Sequence, residues 1–359
     1  MITPTASLVP TDGKMKDVRI SDVSLMITER CNLHCSYCFQ RFFKSQFKRD
    51  TNEEVIKNFI DLMEKTGNSI REFCLWGGEA LLRPDLIKFA VDYGKKINVE
   101  CWKIGTNAIL LNENVDLVNG FDLYVSIDGV GKYNYRSTPT HVLKNKAWLK
   151  CDKSYVVCSP VCDVTKNDGN VTDQIKSLVD LGFFNFHIPM VLSNDRMPRA
   201  EDIKIFEREY DKLVKMHDNG EINIGAFLGY NGIAQYESPA VWGKDRLYCW
   251  VDIDGNMYPT YFDMLNKKNR FGDCNSGIDN KTLSDLASKF GGYSENKKCG
   301  KCKSQDICLI SGVFNYSNIE KEKPIYFCEG ICAEYKAKAR CYDRSLMEKN
   351  RCLNSKTMI

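Results

Sequence analysis

The sequence predicts an α/β fold on parallel strands, an open sheet or a barrel, followed by a small cysteine-rich unit. Three observations carry this. Residues 22–192 repeat one theme, a β-branched run, a short polar loop and an amphipathic stretch, and strands that alternate with helices pair in parallel. Roughly six such units can be counted in the sequence, two short of a full eightfold barrel. From about residue 222 the chain turns Gly-rich and irregular and carries nine of its seventeen cysteines, and small thiol-rich units rely on metals for stability.

The strands are read at 23–27 (VSLMI), 70–76 (IREFCLW), 101–105 (CWKIG), 121–128 (FDLYVSID), 155–161 (YVVCSPV) and 184–191 (FNFHIPMV). Residues 51–67 predict a helix that opens with a capping box from Thr51 to Glu54, keeps Val55, Phe59, Ile60 and Met63 on one face, and stops at Gly67. The stretch NVTDQIKSLVDLGF repeats the pattern, with Thr172 or Asp173 near its start and Gly182 at its end. A long charged amphipathic helix covers 198–219. The division that follows is an N-terminal extension (1–21), the α/β unit (22–197), a connecting helix (198–221) and a C-terminal domain (222–359).

The chain has 359 residues and a formal net charge of +3, which argues against a broad electrostatic footprint for nucleic acid or anionic membrane. The first residues contain no apolar signal core, and no later run in the sequence approaches a membrane span of ~20 apolar residues. The expectation is a cytoplasmic protein without nucleic-acid or membrane partners. Seventeen cysteines are an odd and high number for such a chain, so metal ligation leads the explanations. Cys74, Cys101, Cys151, Cys158 and Cys162 lie singly in apolar contexts and read as core thiols.

The stretch TERCNLHCSYCFQ places Cys31, Cys35 and Cys38 directly after the first strand, at the strand end where α/β folds carry their active sites. Three thiolates on one short loop can ligate three irons of a cubane and leave the fourth open. A structural zinc would want a fourth ligand. Polar clusters end the later strands too. WGGEALL gives Gly77 and Gly78 for close backbone approach and the Glu79 carboxylate, TNA gives Thr106 and Asn107, SIDG runs from Ser126 through Asp128 to Gly129, and Arg136 follows in YNYRSTP.

The cysteine loop, with the aromatic Tyr37 before its last cysteine, resembles the signature of the radical SAM enzymes. The resemblance covers about residues 22–192 and implies a partial (β/α)6 TIM barrel. It also implies a 4Fe-4S cluster whose open iron chelates S-adenosylmethionine and whose electron cleaves it to a 5′-deoxyadenosyl radical. Gly77, Gly78 and Glu79 then match the segment that contacts the methionyl amino group. Ser126 and Asp128 match the ribose side, Arg136 the arginine on the methionyl carboxylate, and Asn107 shares their rim. The stretch from Phe39 to Arg49 reads first as a solvated helix with a buried Phe stripe. Its alternative is docking of an acidic reductase or an anionic substrate through Arg41, Lys44, Lys48 and Arg49.

The C-terminal thiols resemble the SPASM domain, which carries two auxiliary iron-sulfur clusters. Cys299, Cys302 and Cys308 keep its spacing, followed by Cys328 and Cys332, with Cys249 and Cys274 upstream. Two positions depart from the pattern: Thr260 stands where a cysteine would follow Gly255, and Gly312 stands four after Cys308. The reading is one auxiliary 4Fe-4S cluster on Cys299, Cys302, Cys308 and either Cys328 or Cys332. A second site is vestigial, or rebuilt from Cys249, Cys274 and the spare thiol. A structural zinc on the same four thiols is the alternative. Sulfatase-maturing relatives place an aspartate where this chain has Tyr261, with Asp263 two residues on. Both are candidates to move a proton or a hydrogen atom.

The function expected is hydrogen abstraction from a ribosomally made peptide or small protein, with a low-potential donor of the flavodoxin or ferredoxin type. The barrel starts within about 22 residues of the first residue, which leaves no room for a leader-binding domain of ~80 residues and weakens the peptide reading. One alternative is a radical epimerase or dehydrogenase of a small molecule such as a sugar or aminocyclitol. Another, of a different class, is a zinc-stabilised, non-catalytic binding protein.

Overall fold

Alternation of strand and helix governs the chain from its first described element. The computed structural model describes residues 19–35, 37–38, 49–67, 69–152, 156–164, 169–188, 190–191, 200–224, 246–259 and 261–290. In order they form β1 (Arg19–Thr28), α1 (Glu53–Lys65), β2 (Ile70–Gly77), α2 (Pro84–Gly94), β3 (Val99–Thr106), α3 (Val115–Val118), β4 (Asp122–Val125), α4 (Thr140–Asn145) and β5 (Val156–Cys158). Then come β6 (Cys162–Asp163), α5 (Val171–Val179), β7 (Asn185–Phe186), β8 (Met190–Val191) and α6 (Ala200–Asp218). The last are β9 (Arg246–Val251), β10 (Asn256–Tyr258), α7 (Tyr261–Asn266), β11 (Gly272–Asp273), β12 (Gly277–Ile278) and α8 (Asn280–Phe290). No helix among the described residues is long and apolar enough to cross a membrane.

One ten-stranded sheet runs in the order β12-β11-β10-β9-β1-β2-β3-β4-β5-β7, with β6 and β8 as a separate pair. Every pairing from β9 through β1 to β7 is parallel, and β10 to β12 add antiparallel at the β9 edge. The parallel α/β core is therefore as expected, but the pairing leaves the sheet open and closes no barrel among the described strands. The sheet also continues past the boundary expected near 222, because β9 pairs with β1 along Arg19–Leu25. The expected strand at 184–191 is two short ones, and that at 121–128 ends at Val125.

The two faces of the parallel sheet differ. Val23, Leu25 and Ile27 on β1 and Phe73 and Leu75 on β2 pack against Ile56, Phe59, Ile60 and Met63 of α1, all fully buried. Phe73 meets Phe59 edge-on at 6.0 Å and stacks on Trp102 at 4.8 Å. Each such side chain stabilises the fold by roughly 1.5–3 kcal/mol. The alternate residues, Glu72, Cys74 and Trp76 on β2, Lys103 and Gly105 on β3 and Tyr124 on β4, are only partly buried. They line the face opposite α1, and a Cβ on Gly105 would meet nothing within 4 Å.

Helix α1 starts differently from expectation. Its N-cap is Asn52, whose side chain accepts from the Val55 N–H, while Thr51 Oγ1 donates 3.0 Å to the Ile253 carbonyl. Thr51 therefore ties the helix entry to the loop after β9. The α1 C-terminus is as read, with Gly67 in the left-handed region at φ +64 after the Thr66 cap. In α5, Thr172 donates through N and Oγ1 to the buried Glu209 of α6 at 3.0 and 2.8 Å.

Candidate functional site

The loop that leaves β1 is held at its base by the chain that returns from it. Glu29 N donates to Arg49 O at 2.8 Å and Thr51 N to Ile27 O at 3.0 Å. Asp50 accepts from Thr28 Oγ1 at 2.5 Å and from Arg30 Nε and Arg83 at 2.8 Å. Burial alone would raise the Asp50 carboxyl, but these three donors together hold it below its ordinary value. Asp50, Arg30 and Arg83 were not singled out from sequence, since nothing in spacing joins residues that meet only in space.

Within the loop, Cys31 accepts from Leu33 N at 3.4 Å and Asn107 Nδ2 at 3.8 Å, and Cys35 lies 3.9 Å from Arg136 O. Cys38 N donates to Cys35 O at 3.1 Å, which curls the loop. Burial raises the thiols of Cys31 and Cys35, against the Leu33 N–H that favours the first thiolate and the Arg136 charge that favours the second. Among the described residues no three Cys, His, Asp or Glu side chains gather as ligands of a single metal ion. A cubane takes one thiolate per iron, so its ligands are spread around a cluster instead of converging on a point. Three soft thiol donors on one curled loop fit that group better than a closed zinc site.

Gly77 and Gly78 are required by contact. A Cβ would fall 2.1 Å from Thr28 O on the first and 2.2 Å from Arg30 O on the second. That approach lets Gly78 N donate to Thr28 O and Glu79 N to Arg30 O. The Glu79 carboxylate is 2% exposed and accepts from Leu81 N at 3.2 Å, Thr106 Oγ1 at 2.8 Å and Asn107 N at 2.7 Å. It locks β2 to β3 instead of opening toward a ligand. Desolvation outweighs those donors and pushes Glu79 up to about 7. Asn107 also donates to Asn32 Oδ1 at 2.7 Å, next to Cys31.

A second knot joins the cysteine loop to the end of β4. Asp128, fully buried, accepts from Arg136 Nε at 2.9 Å, from Val161 N at 2.8 Å and from the Tyr37 hydroxyl. Gln174 Nε2 bridges Asp128 O and Val161 O at 2.8 and 2.9 Å. Burial drives the Tyr37 phenol far above its ordinary value, so it remains a donor. Burial disfavours the Arg136 charge, yet Asp128 and its neighbours raise the guanidinium pKa overall. Ser126 follows β4 on the same rim, with its N–H on Thr106 O at 2.7 Å.

The two candidate transfer residues separate. Tyr261 packs against Trp76 at 5.2 Å and Trp250 at 5.3 Å, and its hydroxyl is raised by burial and by Cys38. Asp263 is 5% exposed and accepts from Asn269 Nδ2 at 2.8 Å, which commits it to the turn after α7. Cys249 is fully buried on the helix side of β9 within the apolar core, raised to a value above the usual thiol range by burial alone, and reads as a core thiol. Gly255 sits at φ +83, and Cys274 Sγ lies 2.2 Å from where its Cβ would stand. Cys299, Cys302, Cys308, Cys328 and Cys332, with Thr260, Gly312 and the stretch 39–48, lie outside the described residues. Of the single thiols, Cys158 and Cys162 are buried, whereas Cys74, Cys101 and Cys151 are partly exposed.

Comparison with known proteins agrees with this geometry. The family model of the Radical SAM superfamily matches residues 25–145, which hold the cysteine loop, the Gly-Gly-Glu turn and Arg136. An uncharacterized protein of Methanocaldococcus jannaschii is 36% identical over 203 residues, 53% of this chain and 70% of that protein. A GTP 3′,8-cyclase of Listeria monocytogenes is 33% identical over 107 residues, 29% of this chain and 31% of the cyclase, so the match spans less than a third of that relative. Among solved structures, anSMEcpe with bound AdoMet and Cp18Cys peptide superposes with a TM-score of 0.64 at 18% identity, covering 90% of this chain and 98% of that one. SuiB of Streptococcus suis bound to its precursor peptide SuiA gives 0.58 at 15% identity, covering 86% and 74%. At such identities the likeness shows the fold. A thiol triad at the end of the first parallel strand, the glycine turn packed on its base and the matching sequence family lead to one assignment: the chain belongs to the radical SAM superfamily, whose members hold a 4Fe-4S cluster and S-adenosylmethionine.

Proposed function

We propose that the chain is a radical S-adenosylmethionine enzyme that abstracts hydrogen from a peptide or small protein during its maturation. The observation that carries the enzyme reading is the double tethering of the cysteine loop, to β3 through Asn107 and to β4 through Tyr37 and Asp128. Cys31, Cys35 and Cys38 would hold the cluster, which when bound to the cofactor supplies the electron that cleaves it.

The chain's own residues then orient and shield. Arg136, kept charged and aimed by Asp128, offers donors to the methionyl carboxylate. The Gly77–Gly78 turn offers backbone to the amino group, since the Glu79 carboxylate is occupied by three protein donors. Ser126 takes the ribose side, while Asp128 positions Arg136 and Tyr37 instead of touching the sugar. Trp76, Trp250 and Tyr261 form an apolar wall that excludes water from the inner face. The four C-terminal thiols are assigned to one auxiliary cluster on spacing.

The peptide class is supported by the peptides named in the anSMEcpe and SuiB structures, which share the fold. The small-molecule reading is supported by the nucleotide named for the cyclase relatives. Anaerobic reconstitution with iron, sulfide, S-adenosylmethionine and a strong reductant tests the enzyme reading: 5′-deoxyadenosine forms in the wild type and is lost in Cys35→Ala. A cluster-loaded wild type that yields none would eliminate it. Size-fractionated cell extract decides the class, according to whether the peptide or the low-mass fraction raises 5′-deoxyadenosine formation.

A further inference from the structure

Gly105 is a glycine without a local cause. Among the described residues, Gly77, Gly78, Gly94 and Gly272 have an ordinary φ and would each put a Cβ within 2.8 Å of a neighbouring atom, and the remaining glycines apart from Gly105 take a positive φ. Gly105 lies inside β3, and a Cβ there would meet nothing within 4 Å. A glycine in a strand costs chain entropy and leaves a place unpacked, and it marks where a ligand or another backbone comes close.

The register shows what surrounds that place. Met26 pairs with Trp76, and Trp76 stands beside Gly105, one residue after the pair of Leu75 and Ile104; Gly105 pairs with Tyr124, and Tyr124 with Val157. One uncharged row therefore crosses β1 to β5 on the face opposite α1, interrupted at its centre. Trp76 is packed from the β1 side by Met26, Trp250 and Tyr261, yet its Nε1 is buried and meets no acceptor, a costly state for a donor. Two residues beyond Gly105, Asn107 donates to Cys31 and Asn32 of the cysteine loop, so the gap lies directly below the cofactor rim.

Building on the radical and peptide readings above, we propose that the gap over Gly105 is a substrate slot that takes a peptide bond of the substrate between Trp76 and Tyr124, its carbonyl oxygen accepting from Trp76 Nε1. The indole turns into the gap to make that bond, since Gly105 puts no side chain in its way. Two strand spacings hold the β2 and β4 backbones about 9.6 Å apart, and a flat group in contact with a ring on either side needs roughly 7 Å. An ion would lose its water without gaining a partner, because Lys103, in the row below, is paired with Glu72 at 2.9 Å. A nucleobase is flat too, but it brings several polar edge atoms to a row that offers one indole N–H and one phenol.

Three measurements on the full chain test this. In protein labelled at its five tryptophans, the Trp76 indole N–H resonance, assigned by its loss in Trp76→Phe, moves downfield as N-methylacetamide, a lone peptide bond, is added, and Gly105→Val suppresses the shift. A Trp76 resonance that stays in place, or one that moves equally in Gly105→Val, overturns the proposal. The urea midpoint of Gly105→Ala stays level or rises, because alanine has less freedom to lose and has room here; a clear fall makes Gly105 a structural glycine and overturns it. In reconstituted enzyme, the amount of peptide fraction needed for half-maximal stimulation of 5′-deoxyadenosine formation rises about tenfold or more in Gly105→Val. Gly105→Ala shows a smaller rise in the same direction, so the outcome does not depend on the folding of the valine variant. An unchanged requirement overturns the proposal, as does stimulation that survives digestion of the fraction to free amino acids. A wild type that makes no 5′-deoxyadenosine defeats the radical reading instead, and the indole and urea measurements, which need no cluster, still judge the slot.

Discussion

At the scale of single residues, Glu79 shows how an apparent ligand becomes a structural acid. Its two oxygens meet three protein donors, yet burial raises it from an ordinary 4.5 to about 7. The folded chain therefore holds a proton that the unfolded chain has released across that interval. Stability from this group is fully present below about pH 4.5 and is lost as pH climbs through about 7. On the full chain, urea unfolding should show a loss of about 2–3 kcal/mol from this group between pH 5 and 8. That slope should be missing in Glu79→Gln; an identical slope in both proteins rejects the assignment. The motif that contains Glu79 was legible because Gly-Gly-Glu is local. Its partners were not, since Thr106 and Asn107 lie 27 and 28 residues away in sequence. Asp128 repeats the lesson, bonded to Tyr37 from 91 residues off.

At the scale of elements, periodicity located the long strands and helices well, because β1 to β3 and α1 bury one side against the other. Short strands buried at every residue, such as β5 and β7, show no alternation and lack the length to fix their own ends. The entry to α1 differs from the expected capping box for a physical reason: Thr51, Asn52 and Glu54 all suit a helix start, and tertiary contact selects among them. Thr51 is engaged by Ile253 O, so Asn52 caps. Asn52→Ala should cost about 1 kcal/mol in urea unfolding, and Glu54→Ala clearly less. The reverse ranking would restore the capping box. Thr51 also explains how β9, distant in sequence, is aligned beside β1: the same loop that begins α1 fastens the turn after β9.

At the scale of the molecule, one sheet carries both the cysteine loop and the start of the thiol-rich region, since β9 lies against β1. The break near 222 in the sequence was a change of composition, and composition does not report which strands pair. On the function proposed above, the ligand count separates the two thiol sets. A loop with three thiols leaves an iron open for a cofactor, whereas four thiols close a site. Iron analysis separates them. Wild type with both sites filled should hold about 8 irons, and the variant with Cys31, Cys35 and Cys38 replaced by Ala about 4. The variant should also make no 5′-deoxyadenosine while keeping the visible absorption of a cluster. About 8 irons in the variant would mean two auxiliary cubanes and a rebuilt second site. Loss of all iron with zinc in its place would assign the C-terminal thiols a structural metal, and electrons would then have to reach the substrate site without an auxiliary cluster.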